Sequence, residues 1–219
     1  MKAQRKPLIL VLITIVIAAI VALVAWGTKG KEEAKEVKSL PPVTGQPVLG
    51  DEKAKVTVTE FGDYKCPACK AWGERIFPQL QADYIDSGKV KFSYVNVLFH
   101  GDESLLAALA SEAVYKQNPE AFWNFHKEVY KQQPESHDDV WINEDLLTQI
   151  AKETVPNLDE MRFAADMKSR EITSLIGEDE KLVQAYNVQL TPTIAVNGKV
   201  LEDPYDYEKL TELIEEALQ

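Results

Sequence analysis

Apolar residues divide the chain into three parts: a long apolar segment, a polar connector and a region of regular alternation. Residues 8–26 read LILVLITIVIAAIVALVAW, interrupted only by Thr14. As an α-helix this run would span about 28 Å, close to the roughly 30 Å hydrocarbon core of a bilayer. Nothing later in the chain is comparable. The run is longer than a signal-peptide core and ends in Val24-Ala25-Trp26-Gly27, a poor cleavage site, so an uncleaved anchor is expected. Lys2, Arg5 and Lys6 before it favour a cytosolic N-terminus, although Lys29, Lys31, Lys35 and Lys38 follow it. Residues 1–7 then form a cytosolic tail and 8–26 a transmembrane anchor. Residues 27–45, charged and without apolar periodicity, form a flexible tether.

From residue 46 the periodicity becomes structural. Residues 55–61 (KVTVTEF) alternate and are rich in Val and Thr, which predicts a strand. A helix is expected over 67–86, with Trp72, Ile76, Leu80 and Tyr84 at helical spacing and a kink at Pro78. Gly88 ends it, and 90–98 (VKFSYVNVL) reads as a second strand. Residues 104–117, 121–132, 143–152 and 158–186 carry apolar residues every three or four positions, separated by Pro119, Pro134 and Pro156. Gly177 predicts a bend or split in the last of these. Phe122 and Trp123 are assigned to the core of this helical block. Residues 190–201 read as strand, Asn197-Gly198 turn and strand. Residues 206–218 form an amphipathic helix with Leu210, Leu213, Ile214 and Ala217 inward. The order βαβ, helical block, ββα predicts an α/β protein. It resembles a thioredoxin fold (residues 46–101 and 188–219) with an inserted all-helical domain (102–187), preceded by one N-terminal transmembrane helix.

The net charge is −11, and because Lys2, Arg5 and Lys6 contribute +3, the remainder carries −14. That balance argues against nucleic acid as a partner, which needs a basic footprint. The chain has two cysteines, so no framework of structural disulfides holds the domain. Its core must do so, and 45% apolar residues can supply one.

Those two cysteines, Cys66 and Cys69, lie at CxxC spacing where a helix is expected to begin. Two intervening residues in a first helical turn satisfy the geometry of a disulfide. Cys66 next to the N-cap would be favoured as a thiolate by free N–H groups and the helix dipole. Pro67 suits the first helical position. Cys69, one turn deeper, would be the resolving thiol. If the pKa of Cys66 falls from about 8.5 to about 5, the thiolate gains roughly 2.7 kcal/mol at pH 7, raising the potential by about 60 mV. Glu60 shares strand parity with Val56 and Val58. A carboxyl on that apolar face should have a raised pKa and could exchange a proton with Cys69. Pro192 follows Thr191 at the start of a strand, an awkward place for a trans proline. Structural zinc needs four ligands, and His100, His126 and His137 show no matching spacing. A Cu(I)-binding CxxC module remains an alternative.

The segments E-F-G-D-Y-K-C-P-A-C and T-P-T-I-A-V-N-G-K, with Q-P-V-L-G, F-S-Y-V-N-V-L-F-H-G and L-A-A-L-A-S-E, resemble the DsbA-like thioredoxin family, and more closely its membrane-anchored Gram-positive BdbD branch. The resemblance covers residues 46–218. It implies an extracytoplasmic oxidase of unfolded exported proteins, regenerated by a DsbB-like quinone-linked membrane partner. It further implies a cis bond between Thr191 and Pro192, a buried acid at Glu60, and Pro67, Ala68, Thr191 and Pro192 facing the substrate. The redox-active Cys66–Cys69 pair would work without a cofactor. The strongest oxidants of the family carry histidine where Ala68 stands, which takes one thiolate-stabilising group away. The branch also implies a calcium site, at Gln46, Glu112 and Asp179 here. A disulfide reductase or isomerase is the alternative within the same chemistry. No dimerisation module is visible, so a monomer is expected.

Overall fold

In the computed structural model the described residues are 42–136 and 139–219. The expected tail and anchor, and the tether up to residue 41, lie outside them. Among the described residues no helix is long and apolar enough to cross a membrane.

A five-stranded sheet organises the fold. Strand β1 (Val48–Leu49), absent from the periodicity because it is only two residues long, is followed by β2 (Val56–Gly62) and β3 (Val90–Asn96). The chain returns to the sheet with β4 (Thr193–Val196) and β5 (Lys199–Val200), joined through Asn197 and Gly198, both at positive φ (45° and 89°) as the Asn-Gly turn requires. Strand order is β1-β3-β2-β4-β5. β2 and β3 run parallel, and β4 lies antiparallel on the other side of β2. Gly62 closes β2 beneath the ring of Tyr94, where a Cβ would sit 2.5 Å from a ring carbon.

The helix after the CxxC segment is broken rather than merely kinked. α1 (Pro67–Arg75) stops at Ile76, α2 (Phe77–Leu80) begins afresh, and Gln81–Ile85 widens into a π-turn. The break places Pro78 in the first turn of α2, where its missing N–H leaves no partner wanting. Between β3 and β4 come α3 (Asp102–Gln117), α4 (Phe122–Lys131), α5 (Glu144–Thr154), α6 (Glu160–Met167) and α7 (Arg170–Ala185). The expected split of 158–186 falls at Lys168-Ser169, not at Gly177, which stays helical. Ser169 starts α7 by accepting the N–H of Ile172 at 3.2 Å, so a cap rather than a glycine sets the boundary. The last helix, α8 (Tyr207–Leu218), is capped by Asp206.

Three apolar clusters hold these elements. On one sheet face Val56, Val58, Phe92, Ile194 and Val196 pack on Trp72, Leu80, Leu210 and Ile214. On the other, Phe61, Val95 and Ala195 meet Tyr186 and Val188. The third lies within the helices, around Val114, Phe122, Phe125, Leu147 and Phe163. α3 is its axis: Ala107, Ala108, Ala110, Ser111 and Ala113 are buried, and their small side chains let α6 and α7 approach closely. Tyr64, Cys66, Cys69 and Tyr94 belong to this third cluster, so the cysteines sit where the helical block closes on the sheet. Phe122 is core, as expected. Trp123 also packs on that cluster, and it reaches the first sheet-face cluster as well, its ring tilted at 49° against Phe92 and its indole N–H donated to Val48 O at 3.0 Å.

Candidate active site

Cys66 is the N-cap of α1, with extended backbone (φ −76°, ψ 119°) and Pro67 directly after it. Its sulfur faces the first-turn N–H groups of Ala68 and Cys69. The Cys66 thiol is lowered from 9.0 to about 5, first by a hydrogen bond from the Cys69 side chain and then by Thr191 and those two N–H groups, against a raising effect of burial. Cys69 moves the opposite way: burial, then its bond to Cys66, raise it well above the usual thiol value. The pair is thus divided into an anionic and a protonated sulfur. Both are buried; Cys66 is 7% exposed and Cys69 1%. Cys66 is the more accessible, as expected, but it is far from open: it belongs to the helical-block cluster and touches the Thr191 carbonyl. Pro67 is exposed and Ala68 half-buried beside it.

The loop leading into α1 hangs on Asp63, which the sequence reading did not single out. Its Oδ1 accepts Lys65 N–H at 2.9 Å, and its Oδ2 accepts Phe99 N–H (3.0 Å), His100 N–H (3.2 Å) and the Ser104 hydroxyl (2.9 Å). His100 Nδ1 lies 2.8 Å from the same oxygen. Asp63 O accepts Cys66 N–H at 2.9 Å, and Asp63 N–H points at Cys69 Sγ at 3.5 Å. One buried carboxylate therefore joins the cysteine loop to the start of α3. Lys65, next to Cys66, is committed elsewhere: it pairs with Glu103, whose other oxygen accepts Trp141 and Ile142 N–H at 2.8 Å each. The propensity of Asp for loops that bond their own backbone was the available signal for Asp63.

Glu60 lies in register between Tyr94 of β3 and Ile194 of β4, on the face strand parity assigns it. It is buried, and its Oε1 has no hydrogen-bond partner among the described residues. Burial, and next the negative charge of Cys66, raise its pKa well above the carboxylate range. The surrounding wall is apolar and aromatic. Tyr94 and Tyr130 share a hydroxyl contact of 2.9 Å, and His126, which burial lowers to about 3, is neutral at 3.0 Å from the Tyr64 hydroxyl.

The Thr191–Pro192 bond is cis. The Cys66 thiol lies 3.4 Å from Thr191 O, across the sheet end from α1. Beside them opens a groove of about 360 Å³, lined among others by Ala68, Leu190, Thr191, Pro192, Val200 and Tyr205. Leu190 is 76% exposed there, an apolar surface next to the cysteines.

Gln46, Glu112 and Asp179 also come together, away from the cysteines, around Asn96. Gln46 Nε2 lies 2.6 Å from Asp179 Oδ1, and Asn96 Nδ2 donates to Glu112 Oε1 (3.1 Å) and Asp179 Oδ2 (2.9 Å). Burial, then Asp179, push Glu112 up to about 8; burial pushes Asp179 up to about 6. Among the described residues no group of three or more His, Cys, Asp or Glu side chains is placed to hold a metal, so amide oxygens would have to complete any set here.

Residues 43–216 match the thioredoxin family. Disulfide bond formation protein D of Bacillus subtilis is 46% identical over 191 residues, covering 84% of this chain and 82% of that protein. A probable disulfide bond formation protein D of Bacillus cereus is 35% identical, covering 94% of each. The crystal structure of oxidised BdbD from Bacillus subtilis superposes with a TM-score of 0.77 at 46% identity, covering 82% of this chain and 96% of that one. The thiol–disulfide exchange protein α-DsbA2 of Wolbachia pipientis gives 0.66 at 25% identity, covering 80% and 88%. With a thiolate-bearing CxxC at the start of α1 and relatives of this identity and coverage, the chain belongs to the thioredoxin family as a DsbA-like thiol–disulfide oxidoreductase of the BdbD branch.

Proposed function

We propose that the enzyme works in the oxidising direction, outside the cytosol, handing the Cys66–Cys69 disulfide to pairs of thiols in unfolded exported proteins. The observation that carries this reading is the division of the pair: Cys66 at about 5, Cys69 well above the usual value. A stabilised Cys66 thiolate favours the reduced enzyme, and so makes its disulfide the stronger oxidant. A substrate thiolate attacks Cys66 Sγ, the Cys66–Cys69 bond breaks, and Cys69 leaves with the electron pair. Glu60, protonated and buried beside it, supplies the proton. A second substrate thiolate then attacks the first substrate sulfur and expels Cys66 as its thiolate. The substrate loses two electrons and gains a disulfide; the enzyme ends as a dithiol. The groove beside Pro192 would hold the extended substrate, with Pro67, Ala68 and Thr191 along it.

Turnover needs an electron acceptor, for which a DsbB-like quinone-linked membrane protein is the partner class. The apolar run 8–26 supports a single-pass anchor keeping the domain at the membrane, and the enzyme is proposed to act as a monomer. Equilibration with glutathione buffers tests the direction. The expected potential lies between about −120 and −200 mV, whereas a value near or below about −270 mV would make the enzyme a reductant and overturn the reading.

A structural calcium ion is proposed at Gln46, Glu112 and Asp179. Two buried carboxylates that accept hydrogen bonds only from amides among the described residues are an uncompensated pair of charges once ionised. An all-oxygen set of carboxylates, with the Gln46 amide turned to present its oxygen, suits a hard cation. It would neutralise that charge and tie the segment before β1 to α3 and α7.

A further inference from the structure

A side chain 137 residues further along the chain reaches the cysteine turn. The Tyr205 hydroxyl donates to Ala68 O at 2.6 Å. That carbonyl is one end of a peptide unit whose other end is the N–H of Cys69, and this N–H is one of the first-turn donors facing Cys66. Drawing electron density from the carbonyl makes the N–H at the far end a stronger donor, the usual cooperativity of linked hydrogen bonds.

Tyr205 is held for this. Pro204 O accepts the indole N–H of the fully buried Trp72 at 2.8 Å, Tyr205 N–H is bound by Asp203 Oδ1 at 2.9 Å, and Asp206 is the N-cap of α8. Ala68 and Trp72 are four residues apart on α1, so the turn before α8 docks along one face of that helix with a bond in each direction. The Tyr205 side chain also forms part of the groove wall.

We propose that Tyr205 is a positioning residue for the Cys66 thiolate, acting through the Ala68–Cys69 peptide unit. The proposal rests on the reading of Cys66 as the nucleophile. The other titratable groups facing the sulfur are Cys69 on α1 and Glu60 on β2, and Lys65 is engaged by Glu103. The charges of Cys69, Cys66, Arg75 and Glu60 also act on Tyr205, whose hydroxyl makes its hydrogen bond to Ala68 O.

The test is Tyr205→Phe, which removes the hydroxyl and keeps the ring, in the reduced full-length enzyme. Thiolate absorbance against pH should show the Cys66 midpoint rising by about 0.2–0.6 pH unit. The equilibrium constant against glutathione should shift by about two- to four-fold toward the disulfide form of the enzyme. Tyr207→Phe, which deletes a hydroxyl bound to Asp83 at 2.7 Å, is the control and should titrate as the parent does. A Tyr205→Phe midpoint equal to the parent's, with or without a lower melting temperature, would overturn the proposal while leaving the oxidase reading intact. A parent midpoint near 9 would overturn the nucleophile assignment and this inference with it.

Discussion

The sulfur of Cys66 lies 3.4 Å from the carbonyl oxygen of Thr191, 125 residues further along the chain. The contact joins the start of α1 to the segment entering β4. With that segment beside it and the helical block behind it, Cys66 is only 7% exposed.

Alkylation of Cys66 in the reduced enzyme should follow a midpoint near pH 5. The linkage has a definite sign. Because the folded value lies below the unfolded 9.0, stabilisation of the reduced form is fully present above pH 9 and is lost as pH falls through about 5. Denaturation of the reduced and oxidised forms across pH 4–8 checks this, and a reduced form that gains no stability relative to the oxidised form with rising pH would contradict it. Cys66→Ser should abolish exchange. Cys69→Ser should accumulate mixed disulfides, seen on non-reducing gels.

Glu60→Gln should slow the step in which Cys69 forms or leaves its disulfide, by about 10²-fold, because the amide cannot carry the proton. The fold should persist, since Glu60 Oε1 makes no hydrogen bond among the described residues that the variant would lose. Stopped-flow exchange with a model peptide measures the rate, and circular dichroism the fold.

Asp63→Ala should cost roughly 3–5 kcal/mol, because it strands the buried N–H of Lys65 and the buried Ser104 hydroxyl and removes the acceptor of the Phe99 and His100 N–H groups. Urea denaturation should show a lower midpoint at unchanged slope. The Cys66 titration should broaden or rise as well, since the loop that carries the Cys66 N-cap loses its side-chain anchor to Lys65 and to the start of α3, while the backbone carbonyl that accepts Cys66 N–H remains.

Glu112 and Asp179 make the opposite prediction from Cys66. Their folded values, about 8 and about 6, lie above the unfolded ones, so without a divalent cation the protein should be most stable below about pH 4 with respect to these groups, and lose stability as pH rises through 6 and 8. Calcium should raise Tm more at pH 8 than at pH 5. Glu112→Gln should abolish most of that response, whereas in the parent a calcium gain of about 1 kcal/mol would raise Tm by roughly 2–4 °C at pH 8. A variant that responds to calcium as the parent does would remove the proposed site.

The readings that held rest on residues close together in the chain. Cys66, Pro67 and Cys69 specify a cap, a first helical position and a second thiol one turn in. The alternation of 55–61 places Glu60 on the apolar face of β2, and Asn197-Gly198 dictates the β4–β5 turn. Local rules also erred where two signals competed: the break near Pro78 and the cap at Ser169 outweighed the continuous periodicity of the helices around them.

What only the tertiary structure decided is which distant groups meet. Asp63 gathers donors from Phe99 to Ser104, Asn96 gathers Gln46, Glu112 and Asp179, and Tyr205 reaches Ala68. None of these pairs shares a helical turn or a strand register, so no periodicity marks them. Their meeting follows from the strand order β1-β3-β2-β4-β5 and from the small-residue face of α3, which set how the helices close on the sheet. The sequence by itself determined the reactive pair, because backbone N–H groups at a helix start act within a few residues. The surroundings that tune it depend on burial and long-range contact, which exist only once the chain is folded.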